Sequence, residues 1–189
     1  AMGGCRLCSV ELNGSGKVVP ACLTPVEENL VVDSKSPAAV KVRNTALELI
    51  LADHPTECGD CPKYGRCELQ SIYQCLGVTP ERRKHRHQPV ADNASNPLIL
   101  HRMTRCILCG RCVRACRELR GVKVLDFQRK DGRIRIGTDG GKSLAEAGCR
   151  FCGACIEVCP TGPILDQLHL IPSDQPYRKA IVPCRSACP

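Results

Sequence analysis

The first 36 residues alternate between apolar and polar side chains, which is the period of strands in a half-buried sheet. The alternating stretches Val10-Glu11-Leu12 and Lys17-Val18-Val19 flank Asn13-Gly14 and Gly16. This arrangement predicts a β-hairpin, because those residues favour the backbone of a tight turn. The hairpin would bring together the three cysteines just outside it: Cys5, Cys8 and Cys22.

The next segment shows the period of an amphipathic helix. Ser36-Pro37 has the residue types of an N-cap and a first helical position. The helix is predicted to continue to Ala52 or Asp53 and to end before Pro55. Its apolar positions recur at helical spacing: Val42, Ala46, Leu49 and Ile50.

A second, shorter helix is predicted from Glu68 to Leu76, with Gly77 at its end. Cys75 in this helix has no neighbouring cysteine, and we expect it to be a small, buried apolar residue. The role of Cys75 is otherwise open at the level of sequence.

Residues 79–100 form a linker with a basic run at 82–87. We interpret the run as a solvated connection, with a docking strip for an acidic partner as the alternative.

Beyond the linker, Asp131-Gly132 predicts the turn of a second hairpin. The glycine-rich stretch 137–142 lacks the spacing of a phosphate-binding loop and is interpreted as a turn.

Cysteine changes this picture most, with 17 among 189 residues. Such a density indicates either a disulfide scaffold or bound metal. The start of the chain lacks the basic segment followed by an apolar one that marks a secretory signal. Most cysteines are two or three residues apart, which favours shared metal centres over pairing with each other. We therefore expect metal ligands, and a reducing, cytoplasmic compartment.

Composition and charge give little support to other classes of protein. Aromatic residues make up 3% of the chain, so its cores are small and bound metal is expected to supply folding energy. The formal net charge of +8 counts every cysteine as neutral. Several thiolate-bound clusters of roughly −2 each would cancel most of it, so the charge does not indicate a nucleic-acid partner. No run of about 18 apolar residues occurs, so no membrane span is predicted.

An internal repeat carries the strongest chemical signal. CILCGRCVRAC begins at Cys106 and CRFCGACIEVC at Cys149, both with the spacing C-x2-C-G-x-C-x3-C. Two-residue gaps let a loop wrap three corners of a four-iron core, and the fourth cysteine, beyond a helical turn, reaches the neighbouring cluster. The spacing predicts two cross-ligated [4Fe-4S] clusters. One would use Cys106, Cys109, Cys112 and Cys159, and the other Cys149, Cys152, Cys155 and Cys116.

Zinc is the alternative for these repeats, but zinc sites usually combine two well-separated cysteine pairs. Iron–sulfur clusters suit a run of four closely spaced cysteines better. Gly110 and Gly153 fit this interpretation, because bare backbone lets amides approach the cluster sulfurs.

Two further cysteine groups are incomplete. Cys58, Cys61 and Cys67 lack a fourth ligand, and His54 precedes them. That histidine is either a ligand or an ordinary last-turn charge at the end of the first helix. The three cysteines around the first hairpin cannot complete a two-iron cluster without a ligand upstream of them. Zinc or an unliganded cysteine group remains an alternative there.

As a set, five stretches resemble the N-terminal iron–sulfur region of the large iron–sulfur subunit of respiratory complex I. That region is shared with iron-only hydrogenases and the catalytic subunits of NAD-linked formate dehydrogenases. The stretches lie within residues 1–166: GGCRLCSVEL, VPACLTPV, ADHPTECGDCPKYGRCELQ, CILCGRCVRAC and CRFCGACIEVCPTG. They cover most of the chain.

The resemblance implies an α+β chain of small, cluster-nucleated modules. Residues 1–36 would be the C-terminal part of a plant-type, β-grasp [2Fe-2S] domain, with Cys5, Cys8, Cys22 and an upstream cysteine as ligands. Residues 37–78 would form a helical [4Fe-4S] domain with His54, Cys58, Cys61 and Cys67 as ligands. Residues 101–170 would form a two-[4Fe-4S] ferredoxin-like domain. The chain would then hold one [2Fe-2S] and three [4Fe-4S] clusters.

Residues 171–189 are predicted to be a tail or the start of a further iron–sulfur module. VPCRSACP is similar to the opening cysteines of the iron–sulfur module in the small subunit of glutamate synthase. That similarity implies a further [4Fe-4S] cluster beginning at Cys184 and Cys188, with ordinary tail cysteines as the alternative. From the sequence, we expect both ends to be cut from a longer protein.

These observations predict a relay of single electrons between a flavin- or NAD(P)H-binding subunit and a catalytic subunit of hydrogenase or formate dehydrogenase type. The chain would be part of a hetero-oligomer and would contribute to an oxidoreductase without a bond-making site of its own. A free-standing polycluster ferredoxin is the alternative, and a zinc-organised nucleic-acid binder is a remote one. Hydrogen, formate, quinone and NAD(P)H all remain open as terminal substrates.

Overall fold

The computed structural model of the chain describes residues 2–55, 57–78, 96, 98–130 and 132–167. The linker's basic run and the tail with Cys184 and Cys188 lie outside these residues, so the predictions made for them stay predictions. Within the described residues, the chain forms three small sheets and four α-helices.

The first sheet contains the predicted hairpin. Strand β1, Ser9–Leu12, pairs antiparallel with β2, Lys17–Pro20. A two-residue strand β3, Val32–Asp33, pairs with the other side of β1, giving the order β2-β1-β3. The hairpin is confirmed. The short third strand was not predicted, because two residues carry too little pattern.

Helix α1, Pro37–Ala52, begins as predicted, because the Ser36 side chain accepts a hydrogen bond of 3.2 Å from the Ala39 N–H. Its buried face differs from the predicted apolar positions, since Leu49 is 65% exposed while Leu47 is fully buried. The helix carries apolar residues on several sides, so spacing alone does not select the face that packs.

Helix α2, Glu68–Cys75, lies against α1. Leu69 forms a small core with Leu47 and Leu51 of α1, and Cys67 and Tyr73 pack at its edge. Gly77 follows the helix with a positive φ of 64°, as predicted for a helix end. The prediction for Cys75 is wrong, because this last helical residue is exposed rather than buried.

The remaining elements build a second α+β unit. Strands β4, Ile99–His101, and β7, Ile164–Asp166, pair antiparallel, although the first two residues of β4 fall within the predicted linker. Strands β5, Asp126–Lys130, and β6, Arg133–Gly137, form the second predicted hairpin.

The helices of this unit follow the two cysteine motifs. Helix α3, Arg111–Arg114, continues into a π-helical turn over Ala115–Leu119. Helix α4, Ala154–Glu157, follows the second motif. The core between helices and strands is apolar and includes a motif cysteine: Ile99, Cys112, Val113, Val124, Leu125, Ile136, Leu144 and Ile164. Among the helices that the structure describes, none has the length and apolar character needed to cross a bilayer.

Candidate metal centres

Both motif loops turn into their helices through a left-handed glycine. Gly110 has a φ of 68° and precedes α3, and Gly153 has a φ of 74° and precedes α4. A side chain is strained at such angles, so glycine suits both positions for conformational reasons. The glycines are thus favoured by the backbone conformation, in addition to their expected role of letting amides approach a cluster.

The same backbone geometry places an amide on the first sulfur of each motif. The Leu108 N–H donates to Cys106 Sγ at 3.4 Å, and the Phe151 N–H donates to Cys149 Sγ at 3.4 Å. The two copies are therefore alike in structure as well as in sequence. Hydrogen bonds of this kind favour the thiolate form of a ligand and help to set a cluster's potential.

The structure brings the first three cysteines of the first motif to the last cysteine of the second. Burial raises the pKa of Cys106 to about 11, and neighbouring Cys109 and Cys159 act in the same direction. Burial also raises the pKa of Cys112 to about 12, and the thiolates of Cys106, Cys159 and Cys109 add to that shift. In their thiolate forms these four cysteines would repel one another, and cationic iron would relieve that repulsion.

A second group, made of the last cysteine of the first motif and the first three of the second, lies beside the first group. One apolar pocket is lined by Cys116 of the first motif and by three cysteines of the second, Cys149, Cys152 and Cys155. Burial raises the pKa of Cys155 to about 11, and its thiolate neighbours include Cys116. The Val124 N–H donates to Cys116 Sγ at 3.3 Å. The donor set of four thiols in an apolar wall fits a four-iron cluster.

Cys8 and Cys22 meet beside the first hairpin. Burial alone would raise the pKa of Cys8, but hydrogen bonds from the Cys22 backbone and thiol bring it below its usual value. A cavity of about 540 Å³ is lined by Cys5 together with these two residues. Three thiols facing one cavity fit a cluster that takes its fourth ligand from elsewhere.

The third region lies between α1 and α2. His54 follows α1 and is buried, with 8% of its surface exposed. Cys58 begins a short 3₁₀ turn, Cys61 is buried, and Cys67 is the N-cap of α2. Burial raises the pKa of Cys67, and the thiolates of Cys61 and Cys58 act in the same direction, so the three thiols lie close together.

Tyr73 is a residue of this region that no sequence pattern singled out. Burial raises the pKa of its hydroxyl, and the adjacent Cys58 thiolate and a hydrogen bond to it add to the shift. Tyr73 lies in α2, fifteen residues after Cys58 in the chain. Only the packing of the two helices reveals this contact.

None of the fifteen cysteines among the described residues forms a disulfide. Within the same residues, no three His, Cys, Asp or Glu side chains converge at the spacing of a single metal ion.

Three protein families match consecutive parts of the chain. The 2Fe-2S iron-sulfur cluster binding domain matches residues 1–37, and the NADH-ubiquinone oxidoreductase-G iron-sulfur binding region matches residues 43–82. The ferredoxin-like domain of NADH-quinone oxidoreductase subunit 3 matches residues 96–165. The chain is thus composed of small α+β iron–sulfur modules, with a 2Fe-2S ferredoxin-like domain and 4Fe-4S regions.

Two curated relatives match over nearly the same residues. The NADP-reducing hydrogenase subunit HndD of Solidesulfovibrio fructosivorans is 32% identical over 166 residues, which is 88% of this chain and 28% of that protein. The mitochondrial NADH dehydrogenase [ubiquinone] iron-sulfur protein 1 of Solanum tuberosum is 33% identical over 162 residues, which is 86% of this chain and 22% of that protein. The chain therefore spans less than a third of the length of either relative.

A solved structure extends this similarity to the fold. The crystal structure of an NAD+-reducing [NiFe]-hydrogenase in the H2-reduced state contains a similar chain with a TM-score of 0.79 and 31% identity. The match covers 88% of this chain and 70% of that one. The chain therefore belongs to the iron–sulfur family of the complex I large iron–sulfur subunit and the NAD-linked hydrogenases.

Proposed function

We propose that this chain relays single electrons through one [2Fe-2S] and three [4Fe-4S] clusters within a multi-subunit oxidoreductase. The observation that carries the proposal is the apolar pocket in which Cys116 of the first motif meets three cysteines of the second. Such an exchange of fourth ligands is the arrangement of two-cluster ferredoxins. The pocket supports the same division of ligands that the spacing predicts.

Each proposed module has its own ligand set. Residues 1–36 contribute Cys5, Cys8 and Cys22, and residues 37–78 contribute His54, Cys58, Cys61 and Cys67. Residues 101–170 contribute the two cross-ligated sets of the motifs. The family matches at 1–37, 43–82 and 96–165 support these divisions. When bound, the clusters supply one-electron redox chemistry, and the protein orients them, excludes water and sets their potentials.

The partners proposed for the relay follow from the relatives. One is a flavin- or NAD(P)H-binding subunit, and the other is a catalytic subunit of hydrogenase or formate dehydrogenase type. The names of the relatives, an NADP-reducing hydrogenase subunit and an NADH dehydrogenase iron-sulfur protein, support an NAD(P)-linked complex. We propose a cytoplasmic location for this complex.

Metal analysis of the intact protein tests the relay. We expect iron and acid-labile sulfide in matching amounts, a brown colour, and several distinct EPR signals on stepwise reduction. Colourless protein that contains zinc instead would contradict the proposal.

Size-exclusion chromatography of a cell lysate tests the assembly, because co-elution of the colour with larger subunits supports a complex. Elution at the size of the chain alone would support a free-standing ferredoxin.

His54 provides a sharper test of the second module. A neutral imidazole in place of a thiolate removes one negative charge from a cluster and makes its reduction easier. The substitution His54→Cys is therefore expected to retain the cluster and to lower its reduction potential, as measured by EPR-monitored redox titration. The control is His101→Asn, since His101 is a partly buried histidine of another module. An unchanged potential at this centre in His54→Cys would remove His54 from the ligand set.

A further inference from the structure

Three of the proposed cluster sites meet at one seam between α2 and the ferredoxin-like unit. The Glu68 N–H donates to the Pro160 carbonyl oxygen at 3.1 Å. Glu68 directly follows Cys67, and Pro160 directly follows Cys159. One hydrogen bond thus joins residues adjacent to ligands of two different proposed clusters.

The side chain of Glu68 makes a second contact across the seam. Its Oε1 lies 2.7 Å from Nη1 of Arg111, which is 43 residues away and begins α3. The two side chains are about half exposed, at 52% and 49%. An ion pair of that exposure contributes little to stability, because water and salt screen it. Its charges still act on any redox centre that lies nearby.

Arg111 faces two cysteine groups at once. The Glu68 carboxylate raises the pKa of Arg111, and the Cys109 and Cys5 thiolates add to the shift. Cys109 belongs to the first motif, whereas Cys5 belongs to the hairpin group. The cavity of about 540 Å³ beside the hairpin is lined by both of these cysteines and by Glu68 and Arg111. The ion pair therefore lies in the wall of a cavity that cysteines of both the proposed two-iron site and the first motif's four-iron site also line.

We propose that the two charges of the Glu68–Arg111 ion pair separate the reduction potentials of the three centres meeting at this seam. The inference rests on the proposed function, because it assigns the pair a role toward the clusters. Reduction of a cluster adds one negative charge to it. The Arg111 guanidinium favours that charge at the centres of Cys109 and Cys5. The Glu68 carboxylate, one residue beyond Cys67, opposes it at the centre of His54, Cys58, Cys61 and Cys67.

Neutral substitutions measure each charge separately in the intact protein. We expect Arg111→Gln to make the potentials of the Cys5 and Cys109 centres more negative. A roughly tenfold change in the one-electron equilibrium constant, about 59 mV, is the upper end of the expected shift. Glu68→Gln is expected to make the potential of the His54 centre more positive. EPR-monitored redox titration gives each value, and Arg111→Lys should keep the potentials because it keeps the charge.

A charge-reversed double variant distinguishes an electrostatic role of the pair from a role in merely holding the two units together. Glu68→Arg combined with Arg111→Glu retains an ion pair across the seam but exchanges the two charges. An electrostatic role of the pair predicts that the potential of the Cys109 centre becomes more negative than in Arg111→Gln. It also predicts that the potential of the His54 centre becomes more positive. A pair that only holds the units together predicts that the double variant restores the original potentials and melting temperature. That restoration would overturn the inference.

The matched control is Arg117→Gln. Arg117 pairs with Asp126 at 3.0 Å, with a similar exposure of 48% and 49%, within the ferredoxin-like unit. Its loss removes the same charge and should leave the Cys5 and His54 centres unchanged. Unchanged potentials in Arg111→Gln, with iron and sulfide retained, would also overturn the inference. A parent protein without iron and sulfide would instead contradict the proposed function.

Discussion

The two cysteine motifs have the same spacing and the same loop backbone, yet their second cysteines lie in opposite environments. Cys109 and Cys152 are the second cysteines of the two copies. Burial raises the pKa of Cys109, whereas the Ala154 N–H and then Arg120 lower the pKa of exposed Cys152. The motif thus defines the ligand geometry, while the surrounding elements define the electrostatics of each site.

The copies also differ where each fourth cysteine leaves its loop. Cys116 lies in a π-helical turn, whose Arg120 N–H donates to the Ala115 carbonyl at 3.1 Å. Cys159 instead lies two residues beyond the end of α4, directly before Pro160, which has no N–H to continue a helix. A π-helical turn rotates the following side chains relative to an α-helix and is frequent at functional sites. Two different endings therefore direct the fourth cysteines toward each other's site.

Exchange of the fourth ligands predicts the largest effect. Cys116→Ser should remove the cluster of the second motif, and Cys159→Ser should remove that of the first, because each loses a thiolate. Each variant should lose one cluster's iron and sulfide and one EPR signal, and the two lost signals should differ. Cys75→Ser is the control, since Cys75 is exposed and lies outside both motifs.

The opposite assignment has a clear signature. If Cys116→Ser removed the signal of the four-iron centre that contains Cys109, the first motif would hold all four of its own ligands. The comparison of the two copies would then describe two independent sites rather than one interlocked pair.

The difference in burial predicts the order in which iron is lost. Cys152 is exposed, whereas Cys112 in the first motif is 7% exposed and part of the core. Treatment with an iron chelator in air should therefore release the cluster of the second motif first. EPR signals followed over time measure the order. Equal rates in the parent protein would mean that burial of the thiols does not control access to the clusters.

The smallest expected effect comes from Arg120. Its side chain donates a hydrogen bond to Cys152, and its positive charge helps to lower the pKa of that thiol. Arg120→Gln should make the potential of the second motif's cluster slightly more negative, because a positive charge that favours reduction is lost. Redox titration measures the shift. Arg114→Gln is the control, since Arg114 pairs with Glu118 at 2.9 Å on the same helical segment. A larger shift at this centre in the control would contradict the assignment.

Local signals in the sequence were sufficient for most elements. Both hairpins and the start of α1 follow from turn and cap residues, such as Asn13-Gly14 and Ser36-Pro37, whose preferences act within a few residues. The cysteine spacing likewise predicted which thiols would be neighbours, although the clusters themselves stay a proposal.

Features that depend on distant partners could not be predicted. Strands β4 and β7 have three residues each and pair across more than sixty residues, so neither has a recognisable period. The contact of Tyr73 with Cys58 and the Glu68–Arg111 pair arise only when the modules pack together. Cys75 was misplaced because helical spacing cannot show that the end of α2 faces solvent.

The pairing of β4 with β7 has an evolutionary consequence. The Gln167 N–H donates to the Leu98 carbonyl at 2.9 Å, next to that pair, so the polypeptide enters and leaves the unit at neighbouring points. A segment whose two ends adjoin can be inserted into a host protein without moving the host's own framework. Recombination could then lengthen or shorten a conducting path by whole units, with the joints falling at this strand pair.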